Sequence, residues 1–218
     1  MTRPVPRPGP VYAIADAEAL GPLPLPEGVA RMAEAGIRWI QVRAKKLSGA
    51  DFHRALERCC RALEGSGAAL WVDDRADLAA LFPVAGVHVG QTDLPPEAAR
   101  RVVGEHLWIG LSTHGLEQLA AADRDPDVDV VALGPIFPTT GKADPDPVVG
   151  LDILREARRL TAKPLVAIGG IDASNAAEVL AAGADTVAVL GAVCRGDVIA
   201  GCRHLLAAVG GTRAAGAA

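Results

Sequence analysis

Aromatic residues make up only 3% of this 218-residue chain: three Trp, three Phe and one Tyr. With so few rings, the core is expected to be packed by Val, Leu, Ile and Ala, which suit parallel strands buried on both faces. Cysteine is equally sparse. Cys59, Cys60, Cys194 and Cys202 show neither CxxC nor zinc-ligand spacing. They read as small buried apolar residues in a reducing compartment, so a cytoplasmic location is expected. No apolar run approaches the roughly 20 residues needed to span a bilayer, and no membrane partner is expected. The opening "MTRPVPRPGP" lacks the apolar stretch of a secretory signal. A net charge of −4 gives no electrostatic ground for a nucleic-acid partner. Three chemical signatures are missing as well: the GxGxxG dinucleotide fingerprint, the GxxxxGK[ST] phosphate loop and a nucleophile–base–orienter triad.

What is present is a repeated alternation. Eight short apolar runs punctuate the chain: "VYAIAD", "WIQVRA", "LWVDD", "GVHVG", "WIGLST", "VVALGPIF", "PLVAIGG" and "TVAVLGA". Between them lie segments of helical spacing such as "GVARMAEAG", "ADFHRALERCCRALE" and "LDILREARRL". Strands alternating with helices predict a parallel sheet, and eight such units predict an α/β fold of one domain, a closed (β/α)8 TIM barrel. The expected organisation is a Pro-rich flexible arm over 1–10, the barrel over 11–209 and a flexible tail over 210–218.

Polar residues cluster just after the runs: Asp16, Arg43, Lys45, Asp74, Asp93, Ser112, Lys142 and Gly170. In such a barrel those positions converge on the one end that hosts active sites. The alternation of "WIQVRAKK" places Gln41, Arg43 and Lys45 on one side, which is costly on an inner face unless they meet a ligand or each other. Ser48 is a candidate N-cap and Asp77 another. Asp73 and Asp74 are consecutive carboxylates, whose repulsion calls for a nearby cation. Asp93 has two readings, as a helix cap before Pro95 and Pro96, or with Asp74 as a hard-oxygen pair suited to Mg²⁺. His114 likewise reads as a general acid–base or as part of a cap, whereas His53, His88, His106 and His204 read as structural or solvated. Thr139, Thr140, Gly141 and Lys142 suit an anion, and Gly170 and Gly191 follow the strands where such barrels often seat a phosphate. Two anionic groups are expected, one bound to metal, and the pattern favours electrostatic stabilisation of a leaving pyrophosphate.

The motifs "QVRAK", "VDDRADLA", "GVHVGQTDLP", "IGLSTH", "GPIFPTTGK", "VAIGGI" and "GADTVAVLGAV", in this order, resemble the thiamine-phosphate synthase family over nearly the whole chain. The resemblance implies a TIM-barrel transferase of thiamine biosynthesis. It would join a hydroxymethylpyrimidine pyrophosphate to a thiazole phosphate through a pyrimidine carbocation, with Mg²⁺ as cofactor and small molecules as its partners. A homo-oligomer is compatible with it. By position, the resemblance implies that Gln41, Arg43 and Lys45 hold the pyrimidine pyrophosphate and that Asp74 and Asp93 bind Mg²⁺. Asp73 would stand beside the substrate and Ser112 would face the pyrimidine end. Thr139, Thr140 and Gly141 would hold the thiazole phosphate together with Gly170, Leu190 and Gly191, and Lys142 would meet the pyrophosphate. Arg43, Lys45, Ser112 and Lys142 would be the catalytic set.

Four positions depart from the family's pattern: Ala44 for a Glu, Asp73 for an Asn, Gly141 for a Thr and Gly191 for a Ser. The loss of two hydroxyls implies weaker phosphate binding by roughly 1–3 kcal/mol. The related thiazole tautomerase, which "STH" also resembles, would use His114 as its acid–base residue. A non-catalytic phosphate-binding barrel is the third reading. Buried charge without function is expensive, which argues against it.

Overall fold

The computed structural model describes residues 8–139 and 146–210. Eight strands are present: β1 Val11–Asp16, β2 Trp39–Arg43, β3 Ala69–Asp73, β4 Gly86–Val89, β5 Trp108–Thr113, β6 Val130–Leu133, β7 Leu165–Ile168 and β8 Thr186–Val189. They pair in sequence order, all parallel, and β8 returns to β1 to close the barrel. The helices are α1 Leu25–Glu34, α2 Gly49–Ala62, α3 Ala76–Ala79, α4 Pro96–Val103, α5 Leu116–Arg124, α6 Gly150–Leu160, α7 Ala176–Ala181, α8 Gly191–Cys194 and α9 Val198–Gly210. The (β/α)8 expectation is met, with each strand falling on one of the eight apolar runs.

Helix starts follow local chemistry. Ser48 caps α2, its hydroxyl accepting the Asp51 N–H at 3.1 Å, and Pro95 and Pro96 open α4. Asp77 does not cap α3 as expected. The helix begins after Arg75, and Asp77 pairs with the Arg75 guanidinium at 2.6 and 2.8 Å.

The core has two parts. Between strands and helices lies the expected aliphatic layer, including Val29, Met32, Leu56, Leu119, Leu154 and Val179. The barrel interior differs from the expectation: Tyr12, Trp39, Trp71 and Trp108, the sole Tyr and all three Trp, fill it together with Ile14, Val130, Val166 and Ala188. Trp39 and Trp71 lie 4.9 Å apart between ring centroids, Tyr12 stands edge-on to Trp39 at 5.4 Å, and Trp71 and Trp108 stack at 6.0 Å. A closed barrel gives its axis few positions, so a few large rings concentrated there fill the space that many small aliphatic side chains would otherwise need. At the N-terminal end of the strands, Arg100 is buried. It donates to the carbonyls of Gly104, Leu107 and Asp127 and pairs with Asp129 at 2.8 Å. Asp129 in turn accepts the Ile109 N–H at 2.8 Å, which pins the root of β5, the strand carrying Ser112.

Candidate active site

Charged side chains gather at the C-terminal end of the barrel above this aromatic floor. Inward alternation along β2 brings Gln41 and Arg43 to the axis, and Lys45 follows in the loop. Gln41 is 3% exposed and donates through Nε2 to the Tyr12 hydroxyl at 3.2 Å. Burial and the Asp73 charge push the Tyr12 phenol well above its usual range, so it stays neutral.

Arg43 pairs with Asp16, directly opposite on β1, and stands 3.6 Å from Asp73 on β3. Asp16 is 4% exposed and also accepts the N–H groups of Glu18 and Ala19 at 3.0 and 2.8 Å. Lys45 pairs with Asp74 and lies 3.4 Å from Asp73. Asp73 is pushed up to about 6 by burial and by the charge of Asp74, against the pull of Lys45 and Arg43. Burial also raises Asp74, with the facing Asp93 carboxylate adding to the shift against Lys45. Burial works to lower Lys45, but Asp74, Asp73 and Asp93 outweigh it and hold the ammonium above its ordinary value. Asp74 has φ of +58°, the left-handed region that L side chains rarely adopt outside Asn and Asp.

Among the described residues, then, two cations (Arg43 and Lys45) face four carboxylates (Asp16, Asp73, Asp74 and Asp93). Such an excess of crowded, partly buried carboxylate has room for a further positive charge. A cavity of about 120 Å³ opens beside them, lined in part by Ala44, Lys45, Asp73 and Asp74. A larger cavity of about 340 Å³, against Asp172, Ala192, His204 and Leu205, shares no lining residue with it.

Asp93 does not cap α4. Its Oδ2 accepts the Gly90 N–H at 2.8 Å, which folds the β4–α4 loop so that the carboxylate faces Asp74. Ser112, next to last in β5, has its hydroxyl 3.0 Å from His88 Nε2, and its carbonyl accepts Gln91 Nε2 at 2.6 Å. His114 is not a cap either: the Gln118 side chain accepts the His114 N–H at 2.8 Å, and His114 Nδ1 donates to the Gly134 carbonyl at 2.7 Å. Asp146 stands 3.5 Å from the same nitrogen.

The β6 and β7 loops close against each other, with the N–H groups of Ile136 and Phe137 donating to Ile168 and Gly169. Gly170 has φ of +66°, and a β-carbon there would stand 2.6 Å from the Pro138 carbonyl, so this contact alone requires glycine. The N–H groups of Gly170 and Gly191 find no acceptor among the described residues. Leu190 precedes α8 and packs against the barrel interior. Thr139 is the last described residue of its loop; Thr140, Gly141 and Lys142 lie outside the described residues, as do most of the N-terminal arm and the tail beyond 210.

The structure thus brings Gln41, Arg43, Lys45, Asp73, Asp74, Asp93 and Ser112 to one end of the barrel. Two residues of this end have contacts that the sequence alone does not assign. Asp16 ends its strand as the others do, but its pairing with Arg43 depends on the β1–β2 register. His88 reads as an ordinary strand residue until the β3–β4–β5 register places it between Asp73 and Gly110.

Fold and site define a class: a (β/α)8 enzyme barrel with a cation row and an acidic cluster at its catalytic end. Within that class the chain belongs to the thiamine monophosphate synthase family, whose model matches residues 11–193. It is 48% identical over 184 residues to a thiamine-phosphate synthase of Koribacter versatilis, covering 83% of this chain and 86% of that one. It is 41% identical over 207 residues to another of Methanocella arvoryzae, covering 94% and 97%. The solved structure of thiamine phosphate pyrophosphorylase from Pyrococcus furiosus superimposes with a TM-score of 0.83 at 31% identity, covering 93% of this chain and 96% of that one. Among the described residues no helix is long and apolar enough to cross a membrane.

Proposed function

We propose that this chain couples hydroxymethylpyrimidine pyrophosphate to a thiazole phosphate, giving thiamine phosphate and pyrophosphate. The pyrimidine C–O bond breaks with its electron pair leaving on pyrophosphate, and the thiazole nitrogen lone pair forms the new C–N bond. No proton is transferred, so no protein base is required. Arg43 and Lys45, with Lys142, neutralise the charge growing on the leaving group. Gln41 orients the pyrimidine pyrophosphate from the barrel wall, and Ser112 meets the pyrimidine end. Thr139, Thr140 and Gly141 hold the thiazole phosphate, together with the N–H groups of Gly170 and Gly191 and with Leu190. The fixed phosphate keeps the thiazole nitrogen close to the carbocation.

Asp74 and Asp93 suit Mg²⁺, which takes one or two carboxylates and completes its shell with water and substrate phosphate. Mg²⁺ held there would supply positive charge to the pyrophosphate. The observation that carries this reading is the confrontation of Arg43 and Lys45 with a larger acidic cluster. In the free protein each cation is held by carboxylates; a pyrophosphate would take up the cations, and a dication held by Asp74 and Asp93 would supply the carboxylates with positive charge.

The orientation of His114 by Gly134 and Asp146 is the one feature that favours a thiazole tautomerase instead. Single substitutions separate the two. The synthase reading predicts that Asp93→Ala abolishes Mg²⁺-dependent turnover while His114→Ala keeps most of it. The reverse ranking would establish the tautomerase, and full activity in Asp93→Ala would remove the metal assignment.

A further inference from the structure

Beneath Ser112 lies a histidine that the proposed chemistry does not use. His88 projects from β4 toward the axis, between Asp73 on β3 and Gly110 on β5, and is 8% exposed. Its Nε2 is 3.0 Å from Ser112 Oγ, while its Nδ1 is buried with no hydrogen-bond partner. A β-carbon at position 110 would stand 2.3 Å from Nδ1, so this nitrogen lies against the bare α-carbon of Gly110, which offers no acceptor. The ring is buried, and among the described residues its only side-chain hydrogen-bond partner is the Ser112 hydroxyl. A neutral imidazole carries one N–H. On Nδ1 that proton would be an orphaned buried donor, which folded proteins rarely tolerate, whereas on Nε2 it has the Ser112 oxygen. No other group among the described residues takes the Ser112 hydroxyl.

We infer that His88 is a positioning residue whose Nε2–H donates to Ser112 Oγ, leaving the Ser112 hydroxyl proton to point into the site as a donor to the pyrimidine substrate. With the serine oxygen held as an acceptor from below, its own proton has only the site to turn to. The glycine at 110 makes room for the ring that does this. This inference rests on the synthase reading for its substrate, but the direction of the hydrogen bond is a property of the free protein.

Two measurements test it. In protein labelled with ¹⁵N-histidine, long-range ¹H–¹⁵N correlations distinguish a protonated ring nitrogen from a bare one. The chain has five His, and His88→Gln identifies the signals of this one. The expected spectrum has Nε2 protonated and Nδ1 bare; the opposite tautomer overturns the inference. In turnover, His88→Ala is expected to lower kcat by about 10- to 100-fold with KM for both substrates within about 3-fold. Adding His88→Ala to Ser112→Ala should then cost less than about 2-fold more. His88→Gln, whose amide can donate from a similar place and fills much of the volume, should recover most of the activity. Multiplicative losses in the double variant, or a Gln variant no better than Ala, would reduce His88 to packing. A wild-type protein without turnover would defeat the synthase reading, and the spectrum alone would then decide the hydrogen bond.

Discussion

Replacing His88 with Gln removes a proton site that the native fold keeps empty. Burial pulls the ring down to about 4 from 6.5, so between those values the unfolded chain binds a proton that the folded chain refuses. The stability linked to this group is therefore complete above about pH 6.5 and is lost as pH falls toward 4. At about 1.4 kcal/mol per unit the whole loss is about 3 kcal/mol, and about 2 kcal/mol of it is gone by about pH 5. Asp73 acts in the opposite sense. Its carboxyl is pushed up to about 6 from 3.8, so the folded chain takes up a proton first and gains up to about 3 kcal/mol as pH falls through that range. In the wild-type curve the two nearly cancel. The informative quantity is the difference between wild type and His88→Gln in urea unfolding free energy, measured from about pH 7.5 down to about pH 4.5. It is predicted to shift in favour of the variant by about 2 kcal/mol by about pH 5. A difference that stays constant across the range would refute the buried, neutral ring.

The two glycines proposed for the thiazole phosphate seat should respond in opposite ways to a side chain. Gly170→Ala forces a left-handed backbone and a β-carbon 2.6 Å from the Pro138 carbonyl, and is predicted to cost about 2–3 kcal/mol in unfolding free energy. Gly191→Ser meets only the Arg195 side chain at 3.9 Å. It should fold as wild type and, by regaining a hydroxyl, bind thiazole phosphate about 5-fold more tightly in calorimetric titration.

Much of this architecture is legible in the sequence because the eight apolar runs are separated by segments of helical spacing, and four of the strands, β1, β2, β3 and β5, close on a polar residue. The row Gln41, Arg43, Lys45 needed only the period of two, and Asp74 only the excess charge of its neighbour. What escaped depends on register. That Trp39, Trp71, Trp108 and Tyr12 share one interior is set by how eight strands align, which a single strand's pattern does not encode. His88 is hidden for the same reason, since its importance comes from Gly110 and Ser112 on the next strand. Asp77 and Asp93 show the limit of cap signals: each stands near a helix start, yet one prefers a guanidinium and the other a loop N–H.

On the proposed function, the acidic pair and the cation row serve a metal-assisted departure of pyrophosphate. The most direct measurement supplies both phosphorylated substrates with Mg²⁺ to the purified protein and reads thiamine phosphate after oxidation to fluorescent thiochrome. Product is expected to disappear on adding EDTA and to return with excess Mg²⁺. Product formation indifferent to EDTA would contradict the role given to Asp74 and Asp93. No product from folded protein would contradict the synthase itself.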